Sequence, residues 1–469
     1  MSGQRQKNRP GQEVLAFMTE GRSEAPRSVV EGTETLVAKR MPESLAETAR
    51  LMEEVCEWEN CMQALKRVKA NKGSPGVDGM TVQQLPEYLK QHGLEIREQL
   101  LTGTYEPKPV KRVEIPKPGG GVRKLGIPPV LDRFVQQAVL QVLQKRWDPT
   151  FSDHSHGFRP GRSARQAVRE AQQYIAEGYR WCVDLDLEQF FDRVNHDRLI
   201  SAVAKRVADP RMLKLIGAFL KAGVMENGLV SPVDEGTPQG GPLSPLLSNL
   251  VLDELDRELE RRGHRFVRYA DDENIYVASE RAGQRVMKSV TRFITERLKL
   301  KVNQTKSAVA QPWQRKFLGF SFTSEPEPRR RIAPKAVARF KERIRELTSR
   351  TRGISLPKMV TETATYLRGW LGYFGECQTP SVLKSLEQWL RQAEVNLIEQ
   401  FLDIDGGASP DPTQSGKPAS DGSVAAITAG GKLHGAERFD TTRELVSCRD
   451  RIARRFPGAS CAKQAALIQ

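Results

Sequence analysis

The stretch RFVRYADDENIYV, residues 265–277, places two adjacent aspartates, Asp271 and Asp272, between two short apolar runs that favour β-strands. Neighbouring carboxylates repel each other, and aspartate is depleted from strand interiors. One interpretation is a solvated turn, because aspartate is a common turn residue. By itself the stretch predicts a hairpin with acidic residues at its tip and leaves their role open.

A second acidic stretch is VDLDLEQFFD, residues 183–192, where Asp184 and Asp186 share one face of an apolar strand. Burying an unpaired carboxylate is costly, so such residues either border solvent or meet a cation. Mg²⁺ takes hard oxygen ligands, and two ions about 4 Å apart can activate a 3′-hydroxyl and stabilise a leaving pyrophosphate. The two stretches together predict a metal site with the chemistry of a polymerase.

Positive charge dominates the composition. Lys plus Arg, 73, minus Asp plus Glu, 58, gives +15, with a pI of about 9.6. Such an excess favours a polyanionic partner, because each neutralised phosphate releases counterions. A merely basic protein remains the alternative on charge alone, although the positive residues are concentrated in KPVKRVEIPKPGGGVRKLGIP, FRPGRSARQAVRE and EPRRRIAPKAVARFKERIRELTSRTRG.

Several classes of protein are disfavoured. No apolar run reaches the ~18 residues of a membrane span, and the start MSGQRQKNRPGQEV lacks the apolar core of a secretory signal. Six scattered cysteines with no C-x-x-C pair argue against a disulfide framework and a zinc site. We therefore expect a cytoplasmic chain with reduced thiols and no membrane association.

The 469 residues leave room for two to four domains. Residues 1–47 are polar and rich in breakers, which predicts a disordered leader. Residues 43–73 have a helical period, a hairpin follows near residue 105, and 332–400 are all helical in pattern. Residues 401–469 are rich in Gly, Ser, Pro and Asp, which predicts a linker or a disordered tail.

Seven motifs carry a resemblance to a known family: ANKGSPGVDGMTV, KRVEIPKPGGGVRKLGIP, HGFRPGRSARQAV, VDLDLEQFFDRVNHD, GTPQGGPLSPLLSNLVLDELD, RYADDENIYV and LKVNQTKSAVAQPWQRKFLGFSF. In this order, over about residues 50–390, they resemble the reverse transcriptase/maturase encoded by bacterial group II introns. The resemblance implies an α+β right-hand polymerase with an N-terminal extension and fingers at 48–180, a palm at 181–325 and a helical thumb or maturase domain at 326–400. A Cys/His endonuclease domain of the HNH type is not expected.

The resemblance also implies the catalytic residues. Asp186, Asp271 and Asp272 match the catalytic triad and would bind two Mg²⁺ ions, with Leu187 as a further residue of the metal site. Asp186 and Asp271 would bridge both ions, and Asp272 would support them.

Three further acids lie close to the triad in sequence. Asp184 and Asp192 are not in triad positions and are expected to be solvated or hydrogen-bonded structural acids. Glu273 is unusual directly after the paired aspartates; we expect it either to add negative charge at the ligands or to face solvent.

A nucleotide-binding set is implied as well, which comprises Lys117, Arg123, Phe190, Gln239 and Lys306. Lys117 and Arg123 lie on the fingers hairpin, where they would grip the triphosphate, unless they are solvated hairpin charges. The Phe190 ring would lie under the sugar and exclude a 2′-hydroxyl; the alternative is packing in the palm core, for which Phe191 is the stronger candidate. Lys306 would lie near the triphosphate or be a surface lysine.

A last set is implied to contact template or intron RNA, which comprises Arg159, Arg162, Gly240, Gly241 and Arg368. The glycines would let the backbone approach the template–nucleotide pair closely. Arg159 and Arg162 are assigned to the template or to the fingers framework. Around Arg368 the aromatic residues of the thumb suit either intron RNA or a plain helical core.

The expected partners are intron RNA, an RNA template, a DNA primer and deoxynucleoside triphosphates. Engagement of target DNA is in doubt, because residues after about 390 are acidic to neutral where the family is strongly basic. Two alternatives remain open: an RNA-binding splicing factor without polymerase activity, and a non-functional relic with an altered C-terminus. The intact set of three aspartates argues against the first.

Overall fold

The computed structural model describes residues 47–116, 122–226, 229–231, 235–236 and 240–405. These residues form two compact units, each considered separately. The first runs to Leu318 and includes Pro326–Pro328, and the second comprises 319–325 and the chain from Arg329 onward. The expected leader and most of the expected tail lie outside the described residues.

A four-stranded antiparallel sheet is the centre of the first unit. It consists of β3 (Trp181–Asp186), β6 (Arg265–Tyr269), β7 (Asp272–Val277) and β8 (Ala308–Ala310), in the order β6-β7-β3-β8. In β3 the residues Val183 and Leu185 are buried, whereas Asp184 and Asp186 on the other face are half-buried. The period-two alternation of the sequence therefore places both acids on one face, as expected.

A second sheet contains the predicted hairpin. Its strands are β1 (Val110–Pro116), β2 (Val122–Ile127), β4 (Val224–Glu226) and β5 (Leu229–Ser231), in the order β2-β1-β4-β5. The β1–β2 and β4–β5 pairs are antiparallel, and β1 pairs with β4 in parallel. The turn between β1 and β2 lies outside the described residues, so the structure gives the two arms of the hairpin.

Helices surround these sheets: α1 (Leu51–Val55), α2 (Trp58–Asn71), α3 (Leu85–Thr102), α4 (Val130–Trp147), α5 (Ala164–Ala176), α6 (Phe190–Arg193), α7 (His196–Ala204), α8 (Pro210–Lys221), α9 (Ser244–Arg261) and α10 (Glu280–Phe293). A π-helix (Ile294–Leu298) extends α10. Apolar faces of the sheet and of these helices other than α5 share one extended core. No helix in the described part of the chain is both long enough and apolar enough to cross a membrane.

Several helices begin where the sequence supplies a capping side chain. Ser163, Asn195, Asp209 and Ser279 each accept a hydrogen bond from a backbone N–H in the first turn, at the starts of α5, α7, α8 and α10 respectively. Each cap satisfies a donor that has no partner within the helix, which fixes the start of the helix.

The second unit is mainly helical. It contains a short antiparallel pair, β9 (Phe320–Phe322) and β10 (Arg330–Ile332), and the helices α11 (Pro334–Leu347), α12 (Leu356–Phe374) and α13 (Pro380–Asp405). Its core includes Phe340, Ile344, Leu367 and Leu386. The Trp370 ring lies 4.4 Å from the Phe340 ring, so this aromatic side chain packs within the helical core.

Two elements differ from the sequence expectation. The helical pattern over 43–73 gives two described helices, α1 and α2, because Glu57 takes an extended conformation (φ −62°, ψ 142°) and separates them. The apolar run KFLGFSF (316–322), whose pattern predicts a strand, forms one only over Phe320–Phe322, since Leu318 and Gly319 have positive φ and interrupt it. The α+β class is confirmed by the combination of antiparallel sheets and helices.

Candidate active site

The acidic residues meet at one end of the central sheet. Asp186, the last residue of β3, is the direct register partner of Asp272, the first residue of β7. Tyr269 pairs with Asp272, so Ala270 and Asp271 form the tip of the β6–β7 hairpin. Ala270 takes the left-handed conformation (φ 58°), which is uncommon for a residue with a side chain. The sheet thereby brings the three aspartates of the expected triad together.

Asp186 is held in place by a segment that follows the π-helix. Its backbone N–H donates to Ser307 Oγ at 3.0 Å, and its carbonyl accepts from the Asn303 N–H at 2.8 Å. The same segment brings Lys306 Nζ to 3.5 Å from Asp186 Oδ1. The fold therefore places Lys306 near the acidic site, as expected. Its contact with a triphosphate stays a prediction. Sequence reasoning missed Ser307, which lies next to Lys306 in VNQTKS.

Mutual repulsion shapes the electrostatics of the site. Burial raises the pKa of Asp272 to about 6, and the negative charges of Asp271, Asp184 and Asp186 add to the effect. Burial also raises the pKa of Asp184, although an ion pair with Arg315 (2.6 Å) opposes the shift. Asp184 and Asp186 thus each have a cationic partner, Arg315 and Lys306 respectively, whereas burial and the neighbouring carboxylates disfavour the charged form of Asp272.

Asp184 has the structural role expected of it. Arg315 donates to Asp184 Oδ2 through Nε at 2.8 Å and to the Lys306 carbonyl at 2.6 Å. This arginine therefore ties the central strand to the segment that carries Lys306. It lies in QPWQRKF, which the sequence analysis placed in a motif without giving Arg315 a role.

Glu273 contradicts both expectations, because it is neither beside the ligands nor in solvent. It is only 2% exposed, on the face of β7 opposite to Asp272. Its register partner Arg268 is also buried, and the Arg268 Nε lies 4.0 Å from Glu273 Oε2. Neither carboxylate oxygen of Glu273 has a hydrogen bond within the described residues, and burial raises its pKa well above the usual range.

Arg268 is the centre of a buried polar network beneath the hairpin tip. It forms a two-bond ion pair with Asp256 of α9 (2.7 and 2.6 Å). One of its amino groups also donates to Asn249 Oδ1 at 3.0 Å and to the carbonyl of Ala270 at 2.9 Å. The network joins α9 to the turn that carries Asp271, and so holds that turn in its strained conformation.

A cavity of about 560 Å³ opens beside the hairpin tip. Its walls come from the β6–β7 hairpin tip, from helices α2, α4, α6 and α9 and from three loops. The lining residues include Asp271, Phe158, Phe191, Arg133, Gly240 and Gly241. One acidic side chain of the triad therefore faces a space with aromatic, basic and glycine-rich walls. This is the shape and chemistry of a candidate ligand site.

The two phenylalanines after the catalytic strand have the opposite placement to that expected. Phe190 is 2% exposed and belongs to the core, so its ring cannot lie under a sugar in the cavity. Phe191 is half-buried and lines the cavity. The expectation that Phe190 contacts the nucleotide is therefore wrong, and Phe191, which packs against the core as expected, also lines the cavity.

Gly240 and Gly241 line the cavity, and each is required by a close contact within the protein. A Cβ on Gly240 (φ 127°) would overlap the carbonyl oxygen of Gly126 in β2, and one on Gly241 would overlap the side-chain oxygen of Gln136 in α4. Their absent side chains let this loop reach the hairpin and α4. Approach to a template–nucleotide pair stays a prediction, and Gln239 lies outside the described residues.

Arg159 belongs to the framework. It is buried, and its guanidinium pairs with Asp148 (2.9 Å) and donates to the carbonyls of Ser152 and Ser155. The structure thus leaves no part of this side chain for a template. Arg162 donates to Asp153 at 2.5 Å and is partly exposed.

The structure gives fewer contacts for the remaining residues that were expected to bind nucleotide, metal or RNA. Lys117 lies outside the described residues, and Arg123 lies on β2. Leu187 is buried, and because its side chain is a hydrocarbon only its backbone carbonyl could be offered to a metal. Arg368 is exposed on α12 of the second unit.

The donor set of the site fits Mg²⁺. No three His, Cys, Asp or Glu side chains in the described ranges already converge on one metal position. The fit rests on chemistry: Asp186, Asp271 and Asp272 are hard oxygen donors, and burial, with a smaller effect of the neighbouring carboxylates, raises the pKa of Asp272. A divalent cation would favour the ionised form of these carboxylates.

Two protein families match separate parts of the chain. Residues 115–322 match the family described as reverse transcriptase (RNA-dependent DNA polymerase). Residues 337–397 match the group II intron, maturase-specific domain. The first match contains every residue of the acidic site, and the second spans most of α11, all of α12 and part of α13.

Two relatives each match part of the chain. The chain is 39% identical over 219 residues to Protein YkfC of Escherichia coli (strain K12), which covers 45% of this chain and 58% of YkfC. It is 38% identical over 195 residues to the group II intron-encoded protein LtrA of Lactococcus lactis subsp. cremoris, covering 41% of this chain and 32% of LtrA. The matched region thus spans well under two thirds of each relative.

Among solved structures, a partial Cas6-RT-Cas1–Cas2 complex aligns with a TM-score of 0.34 at 26% identity, over 52% of this chain and 42% of that one. That score is too low to carry an argument. The antiparallel sheets and the two matched domains define a fold of the reverse transcriptase type, followed along the chain by a helical maturase-specific domain. The chain belongs to the reverse transcriptase/maturase family encoded by group II introns.

Proposed function

We propose that the chain is an RNA-directed DNA polymerase that copies RNA into cDNA with two Mg²⁺ ions. The observation that carries the proposal is the register of β3 and β7, which makes Asp186 and Asp272 direct neighbours beside Asp271 at the rim of a cavity. A splicing factor without polymerase activity has no use for Asp186, Asp271 and Asp272 together at one end of the central sheet.

In this proposal Asp186, Asp271 and Asp272 hold the metal ions, together with the carbonyl of Leu187. When bound, the ions would activate the primer 3′-hydroxyl and stabilise the pyrophosphate that leaves the incoming nucleotide. Asn303 and Ser307 keep the Asp186 backbone fixed. Fixed carboxylates need no rearrangement during the reaction, which is how preorganised charge lowers a barrier.

The incoming nucleotide is proposed to occupy the cavity. Lys306, 3.5 Å from Asp186, is placed to neutralise the triphosphate, and Lys117 and Arg123 of the fingers hairpin are proposed to grip it. Phe191 takes the role first expected of Phe190, because its ring lines the cavity where a 2′-hydroxyl would project. Gln239 and the two glycines after it are proposed to border the template–nucleotide pair.

The second unit is proposed to bind intron RNA and to assist splicing. Its match to the maturase-specific domain supports this role, as do the basic residues of α11 and α12, which are Lys335, Arg339, Lys341, Arg343, Arg345, Lys358 and Arg368. Double-stranded RNA is recognised largely through backbone and shape, for which such a surface is suited. We propose a cytoplasmic site of action and a role in retromobility; direct engagement of target DNA stays in doubt.

The domain limits follow the same proposal. An N-terminal extension and fingers would occupy 48–180, the palm 181–325 and the thumb or maturase domain 326–400, with residues 401–469 dispensable for primer extension. The two compact units divide near Leu318 and Arg329, close to the proposed end of the palm.

Primer extension tests the function. The full chain, with Mg²⁺, an RNA template, an annealed DNA primer and deoxynucleoside triphosphates, should lengthen the primer, and Asp271→Asn should not. A protein that melts cooperatively and binds RNA but never extends a primer would be a maturase without polymerase activity. A chain without a cooperative melt would be the non-functional relic.

A further inference from the structure

Phe158 is an exposed aromatic residue with a strained backbone at the edge of the cavity. Its side chain is 47% exposed, and its φ is 59°. A bulky residue with positive φ is a genuine outlier, and such strain persists only where the surrounding structure imposes it. Phe158 and Asp271 both line the cavity.

The residues on both sides of Phe158 fix its direction. Gly157 lies directly against the hairpin tip, where a Cβ would overlap the backbone nitrogen of Ala270. The carbonyl of Gly157 accepts a hydrogen bond from Asn249 at 2.9 Å. Arg159 on the other side is anchored in the framework. The chain is therefore pinned before and after Phe158, and its ring is presented to the cavity rather than to the core.

This arrangement is costly unless the ring has a use. The strained φ disfavours the fold, and an exposed phenylalanine recovers little of the free energy that burial of its ring would give. Glycine or asparagine would satisfy the backbone here with less strain. The position thus has the properties of a contact surface, and not those of a packing residue.

We propose that Phe158 is a nucleobase-stacking residue, which contacts the flat face of a base at the catalytic end of the primer–template or of the incoming nucleotide. The proposal rests on the proposed function, since it needs nucleic acid in this cavity. Stacking on an aromatic ring suits a copying enzyme, because every base has a π-face and the contact is independent of sequence. Arg133 supplies positive charge on the wall of the same cavity.

Binding measurements test the proposal without requiring catalysis. The full chain would be titrated into a labelled RNA template–DNA primer whose 3′ end is dideoxy-terminated, with and without the next complementary nucleotide. Phe158→Leu keeps apolar bulk but removes the π-face, and should weaken either duplex or nucleotide binding about 5- to 20-fold. Phe158→Tyr keeps the ring and should stay within about twofold of the parent. Trp58→Leu, at an exposed aromatic residue on the first turn of α2, is the matched control and should change neither affinity.

An abasic nucleotide at the primer terminus identifies the source of the base. If the primer base stacks on Phe158, the abasic primer weakens parent binding to the level of Phe158→Leu and does not weaken that variant further. If the incoming base stacks there, Phe158→Leu binds the duplex as tightly as the parent does, but it needs a higher nucleotide concentration for half-saturation. Either result supports the proposal.

Phe158→Gly separates stacking from backbone strain. It relieves the positive φ, so it should melt at or above the parent temperature while binding as weakly as Phe158→Leu. Parent-like affinities for duplex and nucleotide in Phe158→Leu would overturn the proposal, as would an equal loss in Trp58→Leu. A parent chain that binds the duplex through Phe158 yet never extends it would overturn the polymerase function alone.

Discussion

The rings of Phe190 and Phe191 lie 5.3 Å apart, centroid to centroid, with their planes at 70°. They are consecutive residues at the start of α6, yet the first is buried in the core and the second lines the cavity. Two identical side chains thus have different tasks, and single substitutions can tell those tasks apart.

Phe191→Val should relax discrimination against ribonucleotides. The smaller side chain leaves room for a 2′-hydroxyl, so we expect the ratio of kcat/KM for deoxy- over ribonucleotide to fall by about tenfold or more, as loss of a steric contact in a pocket allows. Single-nucleotide incorporation with each substrate on the same template measures the ratio.

Phe190→Val is the matched control. Removal of part of a buried ring should lower the free energy of unfolding by about 2–4 kcal/mol and leave the sugar preference unchanged. If this variant changes the sugar preference and Phe191→Val does not, the proposed role of Phe191 is wrong.

Substitution of the triad should separate chemistry from binding. Asp186→Asn and Asp271→Asn each remove a charge from the metal site, so cDNA synthesis should fall by about 10³-fold or more, whereas affinity for RNA should change by only a few-fold because the basic surface binds the phosphates. Extension assays and filter binding on the same preparations give the two quantities. Asp197→Asn, at an exposed position on α7, should behave as the parent; substantial extension by either triad variant at ordinary Mg²⁺ would contradict the assignment.

The stability of Glu273→Gln relative to the parent should increase as the pH rises. Burial raises the pKa of Glu273 well above its usual range, so the folded state keeps a proton that the unfolded state releases above about pH 4.5. The parent therefore loses stability with rising pH, whereas the glutamine variant has no such proton to keep. We expect the stability of the variant relative to the parent to increase from pH 5 to pH 8, as measured by chemical denaturation at both values. Glu280→Gln on the surface of α10 is the control, and a pH-independent difference for Glu273→Gln would show that the carboxyl is ionised in the folded state.

Glu170 lies in a buried cluster, and the dependence of stability on pH expected from its carboxyl group is opposite to that expected from Glu273. Burial disfavours the ionised carboxyl, but hydrogen bonds from His154, His156 and Tyr174 outweigh it and lower the pKa of Glu170 to about 2. The hydrogen bond to Glu170 also raises the pKa of His154. The lowered carboxyl pKa stabilises the fold above about pH 4.5, and the raised imidazole pKa stabilises it below about pH 6.5.

Glu170→Gln should therefore cost most between about pH 4.5 and 6.5, by roughly 2 kcal/mol, and less on either side of that window. Thermal melts across pH 3–9 measure the profile, with Glu177→Gln near the end of the same helix α5 as the control. A cost that is the same at every pH would mean that packing, and not titration, links Glu170 to stability.

Much of the site could be predicted from the sequence. The alternation in VDLDL put Asp184 and Asp186 on one face, and the two apolar runs around Asp271 and Asp272 predicted the hairpin, because period two is a local property of strands. The same alternation carries a signal for Glu273: a residue directly after an outward-facing Asp272 faces the core. Its partner Arg268 could be paired with it only once the register of the hairpin was known.

The sequence by itself determined the order of the motifs, the acidic pair of strands and the caps that start the helices, since these depend on neighbours along the chain. Only the tertiary structure decided which phenylalanine faces the cavity. Gln189 takes a left-handed conformation (φ 50°) between β3 and α6, so neither the strand period nor the helix period extends across it to Phe190 and Phe191. Likewise, contacts distant in sequence, such as that of Gly157 with Ala270, present Phe158 to the cavity, because a close approach of two backbones leaves no trace in local periodicity.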